Sequence, residues 1–304
     1  MVSIILINYN GYKDTCELIA SWKTYETYPY ELIIVDNNSR DKQGERLKKE
    51  FPEYTVICSN KNLGFAQGNN LGIQYAKGDY LFILNNDTQI SKPVLQNMVD
   101  VLEQKPNIGC VSPKITFYPN TSLIQYAGAS EMSSFTLRNN FIGYATLDKG
   151  QYETPQQTAF AHGAAMMVRK KDLDIYGLMF DAYFLYYEEL DWNVQMKKHG
   201  FGVWYEPTAV INHKESASVG VRSPLQVFYH TRNRFVFAHH TIEKRGSRSL
   251  SYFYQLFVAV PKRFFVFFLR GEFSLAKALL KGAVAGISYI LEHKQSEYSN
   301  VNKH

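Results

Sequence analysis

Cysteine is scarce in this chain: three in 304 residues, at Cys16, Cys58 and Cys110, without the paired spacing of a zinc site. Each falls in a stretch that reads as helix or strand, so buried thiols in a reducing compartment are expected rather than disulfides. The N-terminus enters an apolar stretch at Val2 with no basic region and cleavage site before it, and no secretory signal is expected. The glycine spacings match neither the dinucleotide fingerprint nor the P-loop. Aspartate is missing from residues 222–304, which carry 13 Lys or Arg and 4 Glu, a net of +9; residues 1–221 carry 20 basic and 24 acidic residues, a net of −4, and the two sum to the chain's +5. That basic tail contains no nucleic-acid-binding motif, and its aromatics cluster with aliphatics, so a nucleic-acid partner is not expected.

Apolar strands alternating with helix-compatible polar stretches are abundant. Val2–Ile7 ends in Asn8-Tyr9-Asn10-Gly11; Leu32–Val35 ends in Asp36-Asn37-Asn38-Ser39; Tyr54–Cys58 forms a third strand; Tyr80–Leu84 runs into Asn85-Asn86-Asp87-Thr88. Helices are expected near residues 12–26 and 41–51. Strand, helix, strand at this rhythm predicts an α/β fold with a mostly parallel sheet. Three of these strands end in Asn or Asp, so their polar tips should converge on the sheet edge where open α/β sheets bind ligands. At that edge Asp87, beside amides and a hydroxyl, suits Mg²⁺ or Mn²⁺, although strands also end in Asn-Asp-Thr for conformational reasons alone.

Three further segments carry chemistry. Gly64, Gly68 and Gly72 stand at helix spacing before the helix leading to Gly78, where a backbone can approach an anion or simply pack tightly. Glu188, Glu189 and Asp191 lie beside the aromatic run Tyr183–Tyr187 and before Trp192. In a helix starting near Glu188, Glu188 and Asp191 share a face. Acidic residues in a first turn are ordinary capping, but like charges beside aromatic surface raise one another's pKa toward that of a general base. His213 closes a short apolar strand, a position suited to a hydrogen bond or a metal.

In this order the motifs resemble the inverting, nucleotide-sugar-dependent glycosyltransferases of family 2, over roughly residues 2–240, and their rhamnosyltransferase-like branch in particular. The resemblance implies the GT-A fold, a Rossmann-like, mostly parallel mixed sheet flanked by helices, with residues 1–221 as the catalytic domain and 222–304 as a helical appendage. It implies donor contacts at Asn8, Asn10, Asp36, Asn38, Gly64, Phe65, Asn69 and Asn86, and a divalent cation at Asp87 and His213. It implies an acceptor side at His162, Gly163, Ala164 and Trp192, and a base at Glu189 with Glu188 and Asp191 orienting it or the acceptor. Three positions depart from the family pattern: Asn85 replaces the first Asp of the metal motif, Glu189 replaces the usual Asp base, and Gln195 stands where many relatives carry Arg.

In the tail, Pro261, Lys262 and Arg263 break the apolar run Tyr252–Leu269 before it reaches the roughly 20 residues that span a bilayer, and a second apolar helix is expected near 275–291. Amphipathic helices on the anionic inner leaflet of a cell membrane are therefore expected; a cap on the catalytic domain or a homodimer surface is the alternative. The expected reaction is transfer from a nucleoside-diphosphate sugar, such as dTDP-rhamnose, to a lipid-linked or saccharide acceptor of a bacterial cell-surface polysaccharide. A nucleotidyltransferase would carry a glycine- and Lys/Arg-rich triphosphate loop near the first strand, which Asn8–Lys13 matches poorly. A glycan- or nucleotide-binding scaffold without turnover is the non-enzymatic alternative.

Overall fold

The computed structural model describes residues 1–214 and 223–301, with side chains described through residue 293. Two compact units emerge: Met1–Glu131, Asn139–Phe184 and Glu188–Ser218 form the first, and Met132–Arg138, Leu185–Tyr187 and Val219–His304 the second. The expected boundary at 221/222 lies outside the described residues. Two short segments expected in the catalytic domain belong instead to the helical unit. Phe135 packs its ring 4.6 Å from that of Tyr254 and the Thr136 carbonyl accepts from Gln255. Likewise Asn233 donates to the carbonyls of both Leu185 and Tyr186 at 2.8 Å.

The first unit contains β1 (Val2–Asn8), α1 (Tyr12–Tyr25), β2 (Tyr30–Asp36), α2 (Gln43–Glu50), β3 (Thr55–Cys58), α3 (Gly64–Ile73), β4 (Tyr80–Leu84), β5 (Thr88–Gln89), α4 (Leu95–Gln104), β6 (Ile108–Phe117), β7 (Leu123–Tyr126), β8 (Thr146–Leu147), β9 (Gln156–Thr158), β10 (Ala165–Arg169), α5 (Leu173–Tyr176), α6 (Glu188–Lys198) and β11 (Gly202–His213). The main sheet path is β3-β2-β1-β4-β10-β6-β11-β5. Within it β3, β2, β1 and β4 are parallel, β10 runs antiparallel between β4 and β6, and β11 is parallel to β6. Strands covered on both faces read as continuous apolar runs, and Ile4, Ile5, Leu6, Ile33, Ile34, Leu81, Phe82 and Ile83 are fully buried. Burying each such side chain contributes about 1.5 to 3 kcal/mol.

The three expected glycines lie inside α3 rather than before a helix, and two of them serve packing. A Cβ on Gly72 would meet Ile5 Cγ2 at 2.5 Å, and one on Gly68 would meet Ile7 Cδ1 at 2.9 Å, so both let the helix lie close against β1. Gly64 differs: its φ is +73° and a Cβ would fall 2.2 Å from the Phe184 carbonyl oxygen, which accepts from Phe65 N at 2.7 Å. Cys110 is buried as expected, whereas Cys58, at the end of the short β3, is exposed and Cys16 half-buried; a four-residue strand with one flank open leaves its last residue at the surface.

The second unit is helical. Ser223 caps α7 (Pro224–Thr241), its Oγ accepting from Gln226 N, with Pro224 in the first turn where a missing N–H costs nothing. α8 (Arg245–Tyr254) passes through a wider turn at Gln255–Ala259 into α9 (Val260–Leu269), and α10 is Phe273–Val301. Pro261 does not break the helix, contrary to the expectation. It sits in the first turn after the wide one, so Arg245–Leu269 is one helical run of 25 residues. This run and Phe273–His293 are each long and apolar enough to cross a membrane by length and composition, with 22% and 44% of their apolar stretches buried. Small residues let α10 lie against α7: a Cβ on Gly282 would stand 2.5 Å from the Phe228 carbonyl oxygen.

Candidate functional site

Strand register brings the candidates to one edge. Asn8 pairs with Asp36 across β1 and β2, Ala165 of the antiparallel β10 lies opposite Leu84, and His213 lies opposite both Thr88 and Phe117. The tips of β1, β2, β4 and β11 and the hairpin before β10 therefore share that edge.

The first pocket of polar residues is internally bonded. Asn8, fully buried, donates to Asp36 Oδ1 at 2.7 Å, and Asp36 Oδ2 accepts from Ser39 N at 3.2 Å. Asn86 donates to Thr15 Oγ1 at 3.0 Å, which in turn donates to Asn8 Oδ1. Asn10 and Asn38 adopt left-handed backbone, φ 56° and 63°, and the Asn10 side chain accepts from Arg40 N. Asn8 and Asn86 thus act as supports for this edge. Asn69 is buried and donates to the Phe65 carbonyl, which keeps it inside α3. The residue that shapes the Gly64 turn is Asn37: its Nδ2 donates to Asn62 and to the Gly64 carbonyl, and its Oδ1 accepts from Leu63 N.

Asp87 and His213 meet as their spacing could not reveal. Asp87 Oδ1 stands 3.1 Å from His213 Nε2, and both residues are buried. Burial opposes ionisation of Asp87, but His213 beside it and Lys214 outweigh that, and its carboxyl titrates below the usual range. Gln125 Oε1 lies 2.8 Å from His213 Nδ1. A carbonyl there can accept from Nδ1 and turns Nε2 toward Asp87, from where it can donate to the carboxylate when protonated or face a metal when not, as in a metal-binding histidine held by an outer partner. One carboxylate oxygen and one imidazole nitrogen could together hold a divalent cation. Among the described residues no group of three or more His, Cys, Asp and Glu gathers to hold a metal alone, so this pair leaves most of an ion's coordination to other oxygens.

The acceptor-side hairpin joins this pair to the acidic helix. His162 lies with its ring centroid 5.9 Å from that of His213. Its Nδ1 accepts from Ala164 N, and burial, then the neighbouring His213, push its pKa down to about 3, leaving the ring neutral. Next to it, a Cβ on Gly163 would stand 3.5 Å from Cδ and Cγ of Glu189. The Glu189 side chain therefore lies over the hairpin backbone at ordinary contact distance. Asn193 Oδ1 accepts from Ala161 N at 2.7 Å, fastening α6 to the same hairpin.

The other acidic residues face inward. Asp191 is fully buried and accepts from Tyr183 Oη at 2.7 Å and from Gln195 at 2.9 Å. These bonds hold the Tyr183 loop against α6 and pair Gln195 with Asp191. Trp192 is corrected outright: with 1% of its surface exposed and its Nε1 donating to the Gly177 carbonyl, it packs in the core rather than on the acceptor side. Glu188 is buried and Glu189 half-buried. Gln125 was missed because it is a single amide in a stretch with no polar periodicity, and Asn37 because it stood within the polar tip Asp36–Ser39 with nothing in the spacing to single it out.

Residues 3–177 match the profile described as Glycosyl transferase family 2. Among curated relatives, the low-salt glycan biosynthesis hexosyltransferase Agl10 of Haloferax volcanii is 24% identical over 81% of this chain and 78% of its own. The N-acetylglucosaminyl-diphospho-decaprenol L-rhamnosyltransferase of Mycobacterium tuberculosis is 20% identical over 78% and 83%. The dTDP-rhamnosyl transferase RfbF of Shigella flexneri is 22% identical over 76% and 78%. The crystal structure of GalNAc-T7 with UDP, GalNAc and Mn²⁺ aligns with 79% of this chain at a TM-score of 0.61 and 15% identity, and this chain spans 50% of that one. That likeness shows the fold, GT-A with its mixed sheet flanked by helices, here followed by a helical region. With the family profile covering more than half of its length, the chain belongs to glycosyltransferase family 2.

Proposed function

We propose that this glycosyltransferase moves a sugar, with inversion, from a nucleoside-diphosphate sugar to a lipid-linked or saccharide acceptor in the assembly of a bacterial cell-surface polysaccharide. One observation carries the reading: the Glu189 side chain lies against Gly163, and the neighbouring His162 leads to His213 and Asp87. A proton acceptor and a cation-binding pair therefore flank one hairpin, as attack and departure on opposite sides of an anomeric carbon require.

In this reading Asp36 contacts the donor's base, at the edge buttressed by Asn8, with Asn10 and Asn38 on the exposed turns beside it. Glu189 takes the proton of the acceptor hydroxyl as its oxygen bonds to the anomeric carbon, and the bond to the nucleoside diphosphate breaks. Mg²⁺ or Mn²⁺ bound by Asp87 and His213 would neutralise charge on the departing diphosphate. Gly64 and Phe65 border the donor, and Ala164 and Glu188 support the acceptor hairpin and base. Two relatives named as rhamnosyltransferases support dTDP-rhamnose as donor, and the diphospho-decaprenol in one of those names supports a lipid-linked acceptor.

The helical unit is proposed to rest on the inner leaflet as a peripheral element. Phe257, Phe265, Phe268, Leu269 and Phe273 are exposed, and Lys262 and Arg270 lie among them, the composition that suits an anionic interface.

The test is metal-dependent release of dTDP from dTDP-rhamnose, with dTDP binding measured in parallel. Asp87→Ala should lose Mn²⁺-dependent dTDP binding while thymidine still binds weakly. Wild-type metal-dependent affinity in that variant would refute the metal assignment, and pyrophosphate release from dTTP would favour a nucleotidyltransferase.

A further inference from the structure

The helical unit encloses a cleft of its own. Its volume is about 550 Å³, within the range of small-molecule sites. Arg138, Arg234, Lys262 and Arg263 line it from three separate segments, and no described aspartate or glutamate does so. Apolar side chains, Phe267 and Leu275 among them, form the rest of the wall. The cations are held differently: Arg234 donates to Tyr187 Oη at 3.0 Å, whereas the Arg138 and Lys262 side chains are exposed.

His230 reports the field inside. It lines the same cleft and stacks on Tyr186 with ring centroids 4.3 Å apart. Burial lowers its pKa first, and the charges of Arg234 and Arg263 lower it further, to about 4. A site this positive, with no carboxylate in its lining, is complementary to an anion. Arg138, Arg234 and Lys262 alone exceed what the single charge of a phosphodiester headgroup calls for. The apolar wall, in turn, exceeds what a free inorganic anion could use.

The exposed face of α9 extends the argument. Phe265, Phe268 and Leu269 are 61%, 52% and 83% exposed, on the same helix that supplies Lys262, Arg263 and Phe267 to the cleft. An apolar chain attached to the anion would have this surface to lie along.

We infer that the cleft binds a diphosphate ester carried on an apolar chain. The inference rests on the acceptor being lipid-linked, and it assigns recognition of the lipid diphosphate to the helical unit. Guanidinium groups suit the task, since they offer forked donors to phosphate oxygens.

The experiment uses the full chain in detergent, without divalent metal, and measures binding of geranylgeranyl diphosphate. Inorganic pyrophosphate, geranylgeraniol and phosphatidylglycerol serve as competitors. The double variant Arg138→Gln, Lys262→Gln removes two exposed charges without disturbing packing, and should weaken binding at least tenfold; Arg138→Lys with Lys262→Arg should retain it. Asp87→Ala should leave it unchanged. Equal affinity in the glutamine variant would overturn the inference. So would loss of binding in Asp87→Ala, which would send the diphosphate to the sheet edge. Pyrophosphate or phosphatidylglycerol competing as well as geranylgeranyl diphosphate would also overturn it, by removing the need for the apolar wall or for the second phosphate. If sugar release fails while the lipid still responds to Arg138 and Lys262, the cleft stands and the proposed reaction falls.

Discussion

The polar cluster at the sheet edge and the basic cleft of the helical unit are built on opposite plans. At the sheet edge polar side chains hold one another: Asn8 serves Asp36, Thr15 serves Asn8, Asn86 serves Thr15, and Asp191 accepts from Tyr183 and Gln195. In the cleft, cations from three segments gather with no described carboxylate among the lining residues. Buried amides bonded to one another fix geometry at little net cost, because each is satisfied. Like charges gathered in a cleft repel, and an arriving anion relieves that repulsion. The first plan holds groups still for chemistry, and the second makes a site for a ligand.

The largest effect should come from Glu189, whose side chain lies against the acceptor hairpin. Glu189→Gln keeps shape and removes the proton acceptor, so turnover should fall by about two to four orders of magnitude. Donor affinity, measured by titration, should stay at the wild-type value. Normal turnover in this variant would move the base elsewhere.

A stability test separates packing from recognition in α3. Gly64→Ala puts a Cβ against the Phe184 carbonyl, backbone that cannot rotate away, at a φ of +73°. Urea unfolding should show a loss of about 3 kcal/mol or more, from strain and overpacking together. Stability unchanged in this variant would mean that the turn relaxes freely.

Gln125 sharpens the comparison at the metal pair. Gln125→Leu deprives His213 Nδ1 of its acceptor, and losses of about 10- to 100-fold in Mn²⁺ affinity are typical when such an outer partner is removed. Gln125→Glu keeps an acceptor and should keep affinity, and ¹⁵N NMR of the imidazole should report the tautomer. Unaltered affinity in Gln125→Leu would leave His213 without a dependence on this partner.

The smallest effect concerns His230. Its folded pKa, about 4, lies below the ordinary 6.5, so between those values the unfolded chain binds the proton and the folded chain does not. Stability from this group is full above about pH 6.5 and falls as pH drops toward 4, by on the order of 1 kcal/mol at pH 5 after allowance for partial exposure. Arg234, Arg263, Arg138 and Lys262 face the same cleft and stay charged throughout. His230→Phe keeps the stack on Tyr186 and should flatten this part of the pH profile; an unchanged slope would mean that His230 titrates normally.

Strand order along the chain, the carboxylate and amide tips and the helix beginning at Glu188 were legible in the sequence, because apolar runs and their polar ends are local signals. The resemblance carried the roles, and it stretched too far at Trp192. The Trp192 side chain of α6 lies in the core; in a helix neighbouring residues diverge by about 100°, and Glu189 faces the hairpin while Trp192, three positions on, packs inward. The tail's composition was legible too, but not the continuity of its helix through Pro261, which depends on the wide turn just before it.

The sequence by itself determined the α/β order, the acidic and basic halves and the list of groups able to do chemistry, since these follow from residue identity and short-range periodicity. Tertiary structure alone decided that Gln125 meets His213 across 88 residues and Asp87 meets it across the β5 to β11 pairing. It also decided that Glu189 lies against Gly163, and that residues 132–138 and 185–187 join the helical unit. Each is a long-range contact fixed by strand register or by packing, and neither leaves a mark in the spacing of residues along the chain.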